Sequence, residues 1–146
     1  MTEILIKRLS KNVSLPKYET DGSSGMDLAA NIEKSIDIGP GKTSIIPTGI
    51  SLSIPKNYEM QIRPRSGLAA KNQITVLNTP GTIDADYRGE IKVILLNLSN
   101  KIFTVEKGAR IAQMVLCPVI KVKFKEVENL EITERGSGGF GSTGIK

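Results

Sequence analysis

Short apolar or alternating stretches, separated by clusters of turn-forming residues, dominate this sequence and restrict the chain to an all-β fold. Six segments are predicted to be strands, either because polar and apolar residues alternate in them or because they are rich in apolar and β-branched residues. They are Ser51 to Ile54, Tyr58 to Arg63, Ile74 to Leu77, Ile91 to Leu98, Ile111 to Val119 and Lys121 to Val127. Glycine, proline and asparagine mark the turns between them. Many short strands at this spacing favour a sandwich or a jelly-roll barrel.

Two segments depart from the strand pattern. Residues Ser66 to Asn72 predict one or two turns of helix. From Arg135 onward the chain has five glycines in ten residues, too few apolar groups to pack a core. We therefore expect a β domain of residues 1–134 and a flexible arm of residues 135–146. The arm is either a frayed tail or a loop that wraps phosphates, with Arg135 as a charged clamp and Phe140 as a lid.

The chain has no histidine and one cysteine. Histidine-based nucleophilic schemes and an internal disulfide are therefore excluded, and a bound metal would be a hard, oxygen-ligated ion such as Mg²⁺. A net charge of +5 favours an anionic partner. Aromatic residues make up 4% of the chain, with no tryptophan, so we expect no nucleic-acid partner.

No apolar run approaches the roughly 20 residues that span a bilayer. The N-terminal stretch of residues 1–11 lacks the apolar core and cleavage site of a signal peptide. We therefore expect no membrane association and a cytoplasmic location.

The connection from Asn78 to Glu90 joins two predicted strands and is long for a hairpin. It carries three carboxylates, including Asp84, together with Tyr87 and Arg88. Long connections between strands are often functional. An ordinary solvated loop is the alternative, although proline and glycine would constrain this one.

Three further segments hold candidate site residues. Arg65, the Ser66 hydroxyl and the N–H groups that open the short helix could grip a phosphate, or Ser66 could be a helix N-cap. Asp27 stands among small and apolar residues, where a turn or cap role is common. Gln113 is one amide within an apolar strand, which is typical of a half-buried edge position.

Together these segments resemble, in order and spacing, the five motifs of the homotrimeric dUTPase family. The matching stretches are Gly25 to Ala30, Pro64 to Ala69, Gly81 to Ile91, Arg110 to Met114 and Arg135 to Gly144. They extend over almost the whole chain.

The resemblance implies a β-clip-like jelly-roll barrel that forms a homotrimer with three active sites at subunit interfaces. In the family, the second and fourth motifs come from one subunit and the third motif from a neighbour. The arm closes the site from the remaining subunit.

The implied reaction is Mg²⁺-dependent hydrolysis of dUTP to dUMP and pyrophosphate, which keeps uracil out of DNA and supplies dUMP for thymidylate synthesis. Asp84 would activate the water that attacks the α-phosphorus. Mg²⁺ would be held mainly by the substrate phosphates, with Asp27 as an outer-sphere partner or a structural support. Further residues are implied as phosphate ligands, namely Arg65, Ser66, Gly67, Gln113 and Arg135.

The same resemblance implies how uracil and deoxyribose are recognised. The uracil edge would meet backbone groups of Gly81, Ile83 and Lys92 and the side-chain amide of Asn78. Tyr87 would pack on the deoxyribose and exclude a ribose 2′-hydroxyl. The closing arm would contribute Phe140, stacked over the base, and Gly141.

Two alternatives remain open from the sequence. A dCTP deaminase shares the fold but differs in the second motif, which here has the hydrolase form Pro-Arg-Ser-Gly-Leu-Ala. A module that binds nucleotides without turnover is the other alternative, and the five intact motifs argue against it.

Overall fold

The computed structural model describes residues 1–145, so Lys146 at the end of the predicted arm lies outside the described residues. These residues form eleven strands and one helix. The elements are β1 (Leu5–Arg8), β2 (Met26–Ala29), β3 (Ile36–Ile38), β4 (Thr43–Pro47), β5 (Ile50–Ser53), β6 (Tyr58–Arg63), α1 (Ser66–Asn72), β7 (Ile74–Val76), β8 (Gly81–Ile83), β9 (Lys92–Asn97), β10 (Phe103–Val105) and β11 (Arg110–Pro118).

All strand pairs are antiparallel and fall into four groups. The largest sheet has the order β2-β11-β6-β8, and a second has the order β4-β9-β7. The remaining pairs are β1-β5 and β10-β3. Hydrogen bonds between the strands of residues 1–145 do not join these groups into one closed barrel. The predicted all-β architecture is confirmed, whereas closure of a jelly-roll barrel is not established.

One apolar core lies between the sheets. In β6, Met60 and Ile62 are buried while the alternate residues are half-buried. In β9, Val93 and Leu95 are likewise completely buried. Each such side chain contributes about 1.5–3 kcal/mol when it is fully buried. This period of two is the pattern from which strands can be predicted.

Five of the six predicted strands and the helix are confirmed, and the helix bounds match those predicted. The short strands β1, β2, β3, β4, β8 and β10 were not predicted. All six are three to five residues long, too short for a clear alternation.

The strand predicted at Lys121 to Val127 is wrong for the single chain. Packing ends at Val119, whose N–H donates to the Asn57 carbonyl oxygen at 2.8 Å. The following residues 120–134, here called the C-terminal segment, form no strand and are exposed throughout. Phe124 is 92% exposed. The alternating pattern is present, but no edge within residues 1–145 pairs with it, and a strand requires a partner.

No helix of residues 1–145 is long and apolar enough to cross a bilayer.

Candidate active site

Arg65 is half-buried in the turn between β6 and α1, and Ser66 and Gly67 are exposed in the first turn of α1. Arg65 is the N-cap residue, with an extended backbone and no side-chain capping bond. The reading of Ser66 as N-cap is therefore wrong, because Ser66 is already the first helical residue. The side chain of Ser66 is exposed. Ser66 and Gly67 are therefore accessible to a ligand.

Arg65 is held in place by an ion pair with Asp27. The Arg65 Nε donates to Oδ1 of Asp27 at 3.0 Å, and Nη1 of Arg110 donates to Oδ2 at 3.2 Å. Asp27 is half-buried within strand β2. The turn or cap role considered for it is therefore wrong, because Asp27 lies neither in a turn nor at a helix end. Its carboxylate joins residues of the first, second and fourth motifs.

Gln113 lies at a central position of the largest sheet. It belongs to β11, which has β2 on one side and β6 on the other, so the predicted edge position is wrong. Its Nε2 donates to the Pro64 carbonyl oxygen at 3.0 Å. The neighbouring Gly25 leaves room for the amide, since a Cβ atom there would lie 2.5 Å from Oε1 of Gln113. The Gln113 side chain is therefore held beside Pro64, the residue before Arg65.

The long connection between β7 and β9 is only partly a loop. Residues Gly81 to Ile83 form β8, which pairs with β6. Asp84 follows directly and is exposed. The turn after it is closed by the Tyr87 N–H, which donates to the Asp84 carbonyl oxygen at 3.1 Å. The Tyr87 hydroxyl donates to the Glu90 carbonyl oxygen at 2.9 Å. These contacts make the loop a constrained support for Asp84.

A cavity of about 340 Å³ lies beside this loop. Ile83, Asp84, Tyr87 and Lys92 line it, together with four other residues. It thus brings together the predicted water-activating carboxylate, the predicted sugar-packing ring and two predicted base-recognition positions. Asn78 lies next to this group, because its Nδ2 atom is 3.2 Å from the position of a Cβ atom at Gly81.

The predicted phosphate ligands do not line the same cavity. Its wall includes neither Arg65, Ser66 nor Gln113. A second cavity that reaches Asp84 also lacks them. One chain therefore carries two separate groups of predicted site residues.

The arm stands apart from both groups. The Arg135 Nε donates within the arm, to the Gly138 carbonyl oxygen at 2.9 Å. Phe140 is fully exposed, with a φ angle of 51°, and Gly141 has a φ angle of 85°. The arm has several turns of its own, formed by backbone hydrogen bonds between residues 133 and 144.

The described residues offer no cluster of three or more carboxylate or cysteine side chains that could hold a metal ion. These residues can therefore hold Mg²⁺ only if the ion takes most of its ligands from water or from a bound phosphate chain.

Comparison with known proteins places the chain in a family. The family model described as dUTPase matches residues 11–144. The chain belongs to the dUTPase family. The deoxyuridine 5′-triphosphate nucleotidohydrolase of Rickettsia bellii is 58% identical over 146 residues, covering 99% of this chain and 97% of that protein. The Fusobacterium nucleatum protein of the same name is 53% identical over 145 residues, with 99% of both chains covered.

Solved structures agree with this dUTPase assignment. A mutant of the Staphylococcus bacteriophage 80alpha dUTPase, determined with dUpNHpp, superposes with a TM-score of 0.88 at 26% identity, covering 99% of this chain and 100% of that one. The family resemblance seen in the motifs and the mostly-β fold with one short helix are confirmed.

Sequence reasoning missed two contributors to this candidate site. Arg110 and Gly25 both lie within recognised motifs, yet neither was assigned a role. The signal for Arg110 was its place three residues before Gln113. The reason for Gly25 appears only when the Gln113 side chain is seen against it.

Proposed function

We propose that the protein hydrolyses dUTP to dUMP and pyrophosphate. One observation carries this proposal: in a chain of the dUTPase family, Asp84 lies in the cavity that also holds Ile83, Tyr87 and Lys92. A carboxylate is the natural base here, because the chain contains no histidine.

The proposed chemistry is an in-line displacement at the α-phosphorus. Asp84 accepts a hydrogen bond from a water molecule and takes its proton as the oxygen bonds to phosphorus. The bond from the α-phosphorus to the bridging oxygen breaks, and pyrophosphate leaves with that oxygen. The exposed position of Asp84 supports this role, since a water molecule can reach it.

The phosphate chain is assigned to Arg65, Ser66, Gly67 and Gln113, with Arg135 added by the arm. Arg65 and Gln113 have fixed orientations because of their contacts with Asp27 and Pro64. Mg²⁺ would bind mainly to the substrate phosphates and neutralise part of their charge. Neither oxygen of Asp27 is without a partner, which favours structural support over its predicted outer-sphere role.

Base and sugar selection are assigned to the cavity beside Asp84. Backbone groups of Gly81, Ile83 and Lys92 and the Asn78 amide would pair with the polar edge of uracil. Cytosine would leave some of these groups unpaired, at a cost of about 1–3 kcal/mol for each buried group. Tyr87 would pack on the deoxyribose and leave no space for a ribose 2′-hydroxyl.

The separation of the two groups of site residues supports a homotrimer with shared active sites. In a monomer, Arg65 and Gln113 do not line either cavity at Asp84, so a neighbouring subunit is assigned the missing half. The C-terminal segment adds a second argument. Ile120, Val122 and Phe124 are 74–92% exposed, and single soluble chains rarely expose such a continuous apolar stripe.

Within that trimer we infer a jelly-roll arrangement of the β domain and an arm that closes over bound dUTP. Phe140 would then stack on uracil, Gly141 would approach the phosphates and Arg135 would reach the γ-phosphate. Closure would exclude bulk water from the reacting groups. Absence of nucleic-acid and membrane partners and a cytoplasmic location stay predictions.

A pyrophosphate-release assay across dUTP, dTTP, dCTP and UTP with Mg²⁺ tests the proposal. We expect release from dUTP only. Ammonia release from dCTP would establish a deaminase instead. Tight dUTP binding without pyrophosphate release would establish a binding module. Repeating the assay with Mg²⁺ removed by a chelator should lower the rate strongly, and an unchanged rate would contradict the metal requirement.

A further inference from the structure

The carboxylate of Asp27 joins two guanidinium groups that come from distant parts of the chain. Arg65 contacts one oxygen at 3.0 Å and Arg110 contacts the other at 3.2 Å. Nη1 of Arg65 also donates to the Arg110 carbonyl oxygen at 3.3 Å. The Asp27 side chain is 21% exposed, so the cluster is partly shielded from water. Two cations are thereby kept beside each other.

This cluster has unused capacity for an anion. Two positive charges and one negative charge leave a net charge of +1. Among residues 1–145, the side-chain hydrogen bonds of Arg65 and Arg110 involve Nε and Nη1 of the first and Nη1 of the second. A guanidinium group has five N–H donors, so both Nη2 groups and Nε of Arg110 are available to phosphate oxygens.

We propose that Asp27 is a positioning residue that keeps Arg65 and Arg110 paired as a clamp for the triphosphate, and that Arg110 is itself a phosphate ligand. The inference rests on the proposed function, because it takes dUTP as the anion. Without the carboxylate, the two long side chains would repel one another and sample many rotamers. Ordering them again on binding would reduce affinity.

If the ion pair were purely structural, Asp27→Asn would lower the free energy of unfolding and leave nucleotide affinity unchanged. Arg110 is 55% exposed, and a pair at such an accessible position contributes little to folding stability. We therefore expect Asp27→Asn to fold normally. An outer-sphere role toward Mg²⁺ also predicts something different, since its loss would affect binding only when the metal is present.

The test measures binding of dUpNHpp and of dUMP to the full-length protein by calorimetry, with Mg²⁺ and again with a chelator. Asp27→Asn and Arg110→Gln should each weaken dUpNHpp binding by about tenfold or more, which corresponds to one charge-assisted contact. The dUMP affinity should change much less, because dUMP lacks the β- and γ-phosphates. The loss should persist without Mg²⁺.

The double variant should bind dUpNHpp more tightly than the product of the two single losses predicts, because both changes disrupt one unit. Glu33→Gln is the matched control, since it removes a surface ion pair with Lys107 at 3.3 Å and should leave both affinities unchanged. Equal loss of dUpNHpp and dUMP, no loss, or a loss confined to Mg²⁺-containing buffer would overturn the clamp.

Two further measurements keep the outcomes distinct. If Asp27→Asn does not fold, Arg110→Lys and Arg110→Gln decide: the lysine variant should retain part of the dUpNHpp affinity, and equal affinity in all three proteins would refute the role of Arg110. If the unmodified protein releases no pyrophosphate from dUTP, the proposed function fails. The clamp is then tested separately by comparing how tightly the unmodified protein and Asp27→Asn bind inorganic tripolyphosphate. Weaker binding by Asp27→Asn would support the clamp, and equal binding would contradict it.

Discussion

Gly25 lies so close to Gln113 that a Cβ atom at this glycine would be 2.5 Å from the amide oxygen Oε1 of Gln113. The same amide donates through Nε2 to the Pro64 carbonyl oxygen. Because Gly25 has no side chain, the Gln113 amide on β11 can keep this orientation.

Gly25→Ala should therefore displace the Gln113 amide and reduce kcat/KM for dUTP by about tenfold, the value of one hydrogen bond in a substrate complex. Steady-state kinetics measure the effect. Gly22→Ala is the control, because a Cβ atom at Gly22 meets nothing within 4 Å. Equal kinetics for both alanine variants would contradict the positioning of Gln113 by Gly25.

Asp84→Asn should retain dUpNHpp binding and lose about 10²–10⁴-fold in kcat, because the amide cannot accept a proton from the attacking water. Pyrophosphate release and calorimetry measure the two effects. Asp86→Asn, two residues further along the same loop, is the matched control. If Asp84→Asn keeps its kcat, Asp84 is not the water-activating group.

Tyr87→Ala should increase kcat/KM for UTP relative to dUTP, since the ring would no longer exclude the 2′-hydroxyl. Tyr87→Phe separates two roles of this side chain. It keeps the ring but loses the hydrogen bond to Glu90, so the preference for dUTP should survive. Competition assays with UTP and dUTP measure the ratio, and an unchanged ratio in the alanine variant would argue against sugar packing.

Deleting the arm from Arg135 onward should leave an assembled protein with a kcat/KM for dUTP lower by more than about tenfold, because Arg135 and Phe140 are removed together. The arm's hydrogen bonds lie within itself and with Thr133, so its loss should not unfold the β domain. Thermal unfolding and kinetics measure both. Full activity in the truncated protein would instead show that residues 135–146 are a frayed tail with no role in catalysis.

Phe124→Asp should dissociate the proposed homotrimer at micromolar concentration and abolish activity with it. Phe124 is 92% exposed in the single chain, and burying such a ring at an interface contributes about 1.5–3 kcal/mol per copy. Lys123→Asp introduces a carboxylate at the adjacent position, which the alternating pattern separates from the apolar stripe of Ile120, Val122 and Phe124, and it should preserve assembly. Light scattering measures the mass; a trimer in both variants would exclude this stripe from the interface.

The sequence by itself determined the family, the helix and the longer strands. Alternation in Tyr58 to Arg63 and the contiguous motifs are local signals, and local signals report which face of a segment is buried. Through their resemblance to the dUTPase family, the motifs also predicted Asp84, Arg65 and Gln113 as site residues. Short strands such as β8 escaped because three residues show too little alternation.

Only the tertiary structure decided how those residues meet. Asp27 lies 38 positions from Arg65 and 83 from Arg110, so no local pattern predicts their shared ion pair. The same limit explains Lys121 to Val127. Alternation specifies a strand's two faces but not the edge that accepts its hydrogen bonds, and the folded chain contains no such edge for this segment within residues 1–145.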